Sequence, residues 1–236
     1  MSKEIISWKQ KKIIDSLTPF TLLDFQKTPS VIVWFSQCNM RCSFCYNPEI
    51  VLGKANYSFN DIYDFFLSRK NLLKGVVLCG GEPTIHNELY DICKELKSMD
   101  YNIKLDTNGL NPRLVKILID EKLIDFVALD FKGLEYNLKK ITKVDKFEEF
   151  EKTLDILLKS SIDFEIRTTY HSDIYTLNDI YKMLDFLELK GYKKRYYLQN
   201  FISHKSTLGK ITSDNKTNLS KVIKSKYSFD IKYRNF

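Results

Sequence analysis

Nothing in this 236-residue chain approaches the roughly 18–20 consecutive apolar residues that cross a bilayer. The longest tight apolar run, Val31-Ile32-Val33-Trp34-Phe35, has the length of a buried strand. The opening MSKEIISWKQKK lacks an apolar core followed by a small-residue cleavage site, so no secretory signal is read there. A cytoplasmic chain without a membrane partner is the expectation. Eight glycines and five prolines nowhere gather with serine into a linker, and there is no internal repeat or low-complexity stretch. At 44% hydrophobic residues the chain can bury one sizeable core, or at most two small ones. Histidine is scarce, three in all. Cysteine is odd in number, five, and three of the five fall within eight positions. In a reducing compartment such clustering suggests metal ligation before a disulfide framework.

Charge is unevenly placed. The net balance is +7, yet Gly191 to Phe236 alone holds eleven Lys/Arg against two Asp, which leaves the remainder slightly acidic. That excess suits a solvated basic tail, or a docking surface for an acidic protein or a nucleic acid, and charge alone does not choose. No known RNA-binding motif accompanies it, so nucleic acid is the lesser expectation.

Strand-length apolar runs alternate with segments of helical period. The strands expected are Val31–Ser36, Gly75–Cys79, Ile103–Asp106, Phe126–Asp130, Phe164–Thr169 and Arg195–Asn200. Helices are expected near Asn60–Arg69, Asn87–Ser98, Pro112–Glu121, Lys146–Lys159 and Leu177–Leu189. Phe150, Leu154 and Leu157-Leu158 share one helical face, and Thr176 reads as a cap before Leu177. Six strands separated by helices predict an α/β fold with a parallel sheet and right-handed crossovers. Such a sheet closes partly into a TIM-like (β/α)6 barrel, with chemistry at the strands' C-terminal ends. The core is expected over 31–205, with an N-terminal extension, 1–30, packed on it and a basic segment, 206–236, following.

The unusual residues fall at those strand ends. After the first strand comes Cys38-Asn-Met-Arg-Cys42-Ser-Phe-Cys45. Three thiolates on a short loop can hold three irons of a cubane cluster and leave the fourth open to an external chelator. A Cys₃His zinc site is the competing reading, with His86 the nearest histidine. The second strand ends in Cys79-Gly80-Gly81-Glu82-Pro83-Thr84, where glycines permit close backbone approach and the carboxylate can accept hydrogen bonds from an ammonium group. Asp106, Thr107, Asp130 and Lys132 close the third and fourth strands. They suit a zwitterionic ligand, although ordinary turn chemistry also explains Asp-Thr-Asn-Gly.

Together, the cysteine loop and Gly-Gly-Glu-Pro resemble the radical S-adenosylmethionine superfamily. Leu23-Asp24-Phe25, Asn47-Pro48-Glu49, Asp106-Thr107-Asn108-Gly109 and Ala128-Leu129-Asp130-Phe131-Lys132 resemble its activating proteins of glycyl-radical enzymes, most of all those of anaerobic ribonucleoside-triphosphate reductase. The resemblance runs from about Thr18 through Gln199. It implies one [4Fe–4S] cluster on Cys38, Cys42 and Cys45, with Phe44 packed on the adenine of S-adenosylmethionine. It places Gly80, Gly81 and Glu82 on the methionine amino group. Asp106, Thr107 and Asp130 fall beside the carboxylate, where some members bind a monovalent cation. Lys132 and Arg167 become cofactor contacts, against a buried salt bridge for Arg167, and Gln199 is a weaker candidate at the sixth strand.

The implied activity is reductive cleavage of S-adenosylmethionine to a 5′-deoxyadenosyl radical that takes hydrogen from a glycine of a partner enzyme. The implied electron donor is of flavodoxin or ferredoxin type. No acid–base residue is strictly required beyond the cluster and S-adenosylmethionine. Where some activases carry His after the third cysteine, this chain has Tyr46, which leaves two alternatives standing: a small-molecule enzyme like 7-carboxy-7-deazaguanine synthase, or one acting on RNA. Cys79 and Cys93 are read as a small core residue and a buried, inert thiol.

Overall fold

The computed structural model describes residues 8–203, 207–209, 211, 219 and 226–235. Most of the basic segment expected over 206–236 lies outside the described residues. The chain divides into two compact units. The first comprises Met1–Asn39, Glu49–Thr107 and Arg113–Val127, and the second Met40–Pro48, Asn108–Pro112 and Ala128–Phe236.

In the first unit lie β1 (Lys12–Thr21), β2 (Ser30–Phe35), α1 (Pro48–Leu52), β3 (Tyr57–Ser58) and α2 (Phe59–Arg69), followed by β4 (Gly75–Gly80), a 3₁₀ turn (Pro83–Ile85), α3 (Leu89–Ser98), β5 (Asn102–Thr107) and α4 (Pro112–Asp120). Its strands are hydrogen-bonded in the order β3-β1-β2-β4-β5. β2 and β4 run parallel in unbroken register from Ser30↔Gly75 to Phe35↔Gly80, and β4 is parallel to β5. Strands of a parallel sheet are buried on both faces, which is why β2 and β4 read as continuous apolar runs. Val31, Phe35, Val76, Leu78, Leu89, Leu96, Ile103 and Leu105 are all fully buried. Ser58 caps α2 in a reciprocal box with Asp61.

After β6 (Phe126–Asp130), the second unit holds α5 (Glu135–Thr142), α6 (Phe147–Lys159), β7 (Asp163–Tyr170), α7 (Leu177–Leu189), β8 (Arg195–Asn200) and β9 (Asp230–Arg234). β7 is parallel to β8, and β8 to β9. Phe150, Leu154 and Leu157 are buried on α6 as the periodicity predicts, and Phe150 stacks on Phe131 at 4.8 Å. Thr176 does cap α7, accepting from the Asp179 amide while Asp179 accepts from the Thr176 amide.

All six expected strands are present, and the α/β class with parallel strands is the fold observed. β1, β3, β9, α1 and α5 were not expected. β1 pairs antiparallel with β2 through two irregular steps, between Ile14 and Ser16 and between Thr18 and Thr21. Pro19 lies within the second step, where its missing N–H costs no ladder bond, so β1 carries no clean alternation. No described helix is long and apolar enough to cross a membrane.

Candidate active site

In the first unit the chain turns sharply where β2 ends. Gln37 takes a left-handed conformation, φ 64°; its amide donates to the Ile50 carbonyl at 2.8 Å and its carbonyl accepts from the Glu82 amide at 2.9 Å. Gly80 and Gly81 lie against this turn. A Cβ on Gly81 would sit 1.7 Å from the Gln37 oxygen, and one on Gly80 2.5 Å from that of Phe35. Both glycines are therefore required by the packing of two backbones, apart from any ligand. Glu82 follows, 1% exposed, capping the 3₁₀ turn. Its Oε1 accepts from the Thr84 amide at 3.1 Å, the Thr84 hydroxyl at 2.6 Å and the Thr107 hydroxyl at 2.7 Å. Glu82 and Thr107, separate in sequence, thus meet. Asp106 instead pairs with Lys104, a 3% exposed lysine two residues earlier on β5, at 2.8 Å. Cys38 lies in this unit beside Asn39, its Sγ 3.8 Å from that side chain's oxygen.

The Glu82 cradle has a simple test. Thr107→Val keeps the side-chain shape but removes one of three donors to a buried carboxylate oxygen. We expect a stability loss of about 1–2 kcal/mol, read from the urea midpoint at unchanged slope.

The second unit gathers the other expected residues. Cys42 is buried and Cys45 half-buried, joined by a turn in which the Cys45 amide donates to the Cys42 carbonyl at 3.1 Å. Asp130, at the end of β6, accepts from Arg167 Nε at 3.0 Å and Nη2 at 2.9 Å on one oxygen, and from Lys132 at 3.2 Å on the other. The Lys132 ammonium also lies 5.8 Å from the Phe44 ring centre, and Phe44, 6% exposed, faces Tyr175 at 6.5 Å. Tyr175 is buried and donates to the Lys132 carbonyl at 3.0 Å. Phe44, Asp130, Lys132 and Arg167 are thereby brought together, with Arg167 engaged in the salt bridge that competes with its ligand role. Gln199 is half-buried on β8, in register with Thr169 and Arg234. Tyr46 stacks on Phe201 at 5.1 Å, and its hydroxyl oxygen accepts from the Ile202 amide.

Electrostatics follow from burial. Desolvation pushes the Cys42 thiol above its usual range while Lys132 draws it back only in part. Without metal Cys42 is thus a protonated thiol at neutral pH, and ligation must displace that proton. Burial also raises the Asp130 carboxyl, but Arg167 and Lys132 outweigh it and hold the group below the ordinary carboxylate range. Burial keeps Cys93 a thiol, and it is fully buried as expected; Cys79 is half-buried on β4.

Sequence reasoning missed Lys104, Thr84 and Tyr175. Lys104 interrupts an apolar strand two residues before Asp106, a readable signal. Tyr175, in the loop before α7, carried none.

Residues 32–187 match the radical SAM superfamily, and the chain belongs to it. It is similar to a protein of Methanocaldococcus jannaschii that carries the provisional name of glycyl-radical enzyme activating enzyme. The two are 30% identical over 181 residues, 72% of this chain and 73% of the relative. A 7-carboxy-7-deazaguanine synthase of Aquifex aeolicus is 34% identical, over only 86 residues, 34% of this chain and 36% of that one. Among solved structures, Streptococcus suis SuiB bound to S-adenosylmethionine aligns with a TM-score of 0.62 at 16% identity, over 86% of this chain. The chain spans 52% of SuiB, and the likeness is one of fold alone.

The superfamily's cofactors are a [4Fe–4S] cluster and S-adenosylmethionine, and the donor set fits them. None of the five cysteines is in a disulfide, and Cys42 and Cys45 share one turn, with the Lys132 ammonium acting on the Cys42 thiol. Among the described residues no three His, Cys, Asp or Glu side chains are arranged to enclose a single metal ion.

Proposed function

We propose that this chain is a radical SAM oxidoreductase of the glycyl-radical enzyme activating type. Its partner would be a glycyl-radical enzyme resembling anaerobic ribonucleotide reductase, and its electron donor of flavodoxin or ferredoxin type. The likeness to the Methanocaldococcus jannaschii protein, 30% identical over 72% of the chain, carries this reading, whereas 7-carboxy-7-deazaguanine synthases match at 34% identity over 34% of the chain or at 24% over 63%. In this reading Cys38, Cys42 and Cys45 hold the cluster. When bound there, the reduced cluster would supply the one-electron reduction of S-adenosylmethionine on which the proposed radical chemistry rests.

The chain's own residues hold and shield. Glu82, fixed by three donors on one oxygen, receives the methionine ammonium together with the Gly80-Gly81 backbone. Phe44, itself backed by Tyr175, offers a ring to the adenine. Lys132 sets positive charge beside Cys42 and Phe44, and Arg167 and Asp130 hold each other rigidly for contact with the ligand. Asp106, balanced by Lys104, and Thr107 stand at the carboxylate end, and Gln199 lies further along β8. Fixed polar groups of this kind orient the ligand without reorganising during reaction.

The reading is tested by anaerobic reconstitution with iron and sulfide, dithionite reduction, and quantification of 5′-deoxyadenosine. Product is expected from the native chain, and Cys42→Ala is expected to lower it by about a thousandfold or more, since the chemistry resides in the cofactor. Cleavage that transfers deuterium from a Cα-deuterated glycine peptide would support the activase type. Transfer from a small heterocycle alone would remove it.

A further inference from the structure

The cysteine loop is held from both sides, and one side comes from the C-terminal segment. The Arg41 amide donates to the carbonyl of Thr142, the last residue of α5, at 2.8 Å. Opposite in sequence, the Leu208 amide donates to the Cys45 carbonyl at 3.0 Å and the Gly209 amide to the Ser43 carbonyl at 2.8 Å. The contact is close as well as hydrogen-bonded. A Cβ on Gly209 would fall 2.5 Å from Ser43 Cβ and 2.7 Å from its Cα. Thr207, 5% exposed, accepts from the Ile211 amide at 2.7 Å and so closes a short turn around the contact.

We infer that Thr207-Leu208-Gly209 is a clasp, and that Leu208 and Gly209 are positioning residues for the Cys42–Cys45 turn. The rigid turn between Cys42 and Cys45 sets the spacing of two thiols, and the clasp takes up the carbonyls on which that turn would otherwise pivot. Gly209 is required because any side chain there meets the backbone of Ser43. The expected basic C-terminal segment is thereby divided in role: its first residues belong to the cysteine loop, whatever surface the rest presents. This inference deepens the proposed function by assigning the cluster loop a support outside the superfamily-matching residues 32–187.

The test uses the full chain without metal, so that it is independent of whether S-adenosylmethionine is cleaved. In the native protein the Leu208 and Gly209 amides are expected to exchange with deuterium at least about tenfold more slowly than unstructured chain. Iodoacetamide labelling of Cys45, followed by mass spectrometry, is then compared in the native chain, Leu208→Pro and Gly209→Val. With hydrogen bonds to the loop lost, both variants are expected to label at Cys45 about tenfold faster, while Cys93 stays protected and reports an intact core. After reconstitution, iron loss to a chelator is expected to quicken in parallel. Unprotected amides in the native protein, or unchanged Cys45 labelling with Cys93 protected, would overturn the clasp. Should the variants expose Cys93 by unfolding, the native exchange rates decide alone.

Discussion

Gly81→Ala is expected to destabilise the chain by about 3 kcal/mol or more, because the added methyl meets rigid backbone that cannot swing aside. The methyl would sit 1.7 Å from the carbonyl oxygen of Gln37 and 2.5 Å from its carbon. Gln37 is already in the left-handed region, and both its amide and its carbonyl are committed to hydrogen bonds. Relief therefore requires displacing either the end of β4 or the turn that leads into Cys38. The second route carries a functional signature, since it moves a cysteine of the loop. Urea denaturation should show the loss, and reconstituted protein should retain less iron per chain than native. Gly191→Ala is the control. Gly191 has φ 74° but nothing within 4 Å of a Cβ, so only the left-handed backbone resists substitution, at about 1 kcal/mol. Equal losses at the two positions would show that the loop yields freely, and that Gly81 is there for another reason.

The parts legible in sequence were those whose signal is local. The parallel strands read as unbroken apolar runs because both their faces are covered, and the caps of α7 and the period of α6 follow from neighbours three and four residues apart. The Cys38–Cys45 loop and the Gly-Gly-Glu turn were visible as compact motifs. What escaped depends on partners distant in the chain. β9, Asp-Ile-Lys-Tyr-Arg, has three charged residues in five and becomes a strand through the edge β8 offers it. Tyr175 is defined by Phe44 and Lys132, which lie 131 and 43 positions earlier. The glycine pair was seen for its likeness to a ligand cradle, while its physical necessity lies in the approach of Gln37, which no local pattern encodes. Asp106 is the exception, since the buried lysine that answers its charge is only two residues away on the same strand and was there to be read.

Arg167 separates a structural role from a functional one most cleanly. Its side chain is 15% exposed, and it grips one oxygen of Asp130 with two nitrogens. Arg167→Met leaves the Asp130 carboxylate with Lys132 alone, and a loss of about 2–3 kcal/mol is expected, near the lower end for breaking a largely buried pair. Arg167→Lys restores charge but not the two-nitrogen contact, and should fall between the two. The sign of the pH dependence follows from Asp130. Its carboxyl is held below the ordinary range in the folded chain, so its contribution is fully present above the unfolded pKa of about 4 and fades as pH falls through the lower folded value. In Arg167→Met that carboxyl should titrate higher, and the acid limb of the stability curve should move toward neutrality. The double variant Asp130→Asn/Arg167→Met removes both charges and is expected to recover much of the lost stability. If the pair also holds S-adenosylmethionine, recovered stability will not bring back binding. Equilibrium dialysis of labelled S-adenosylmethionine on the reconstituted double variant would then show affinity weaker by about tenfold or more, the worth of one charge-assisted hydrogen bond. Native affinity in that variant would make Arg167 and Asp130 a strut of the fold, and would leave Lys132 as the cation that faces the cofactor.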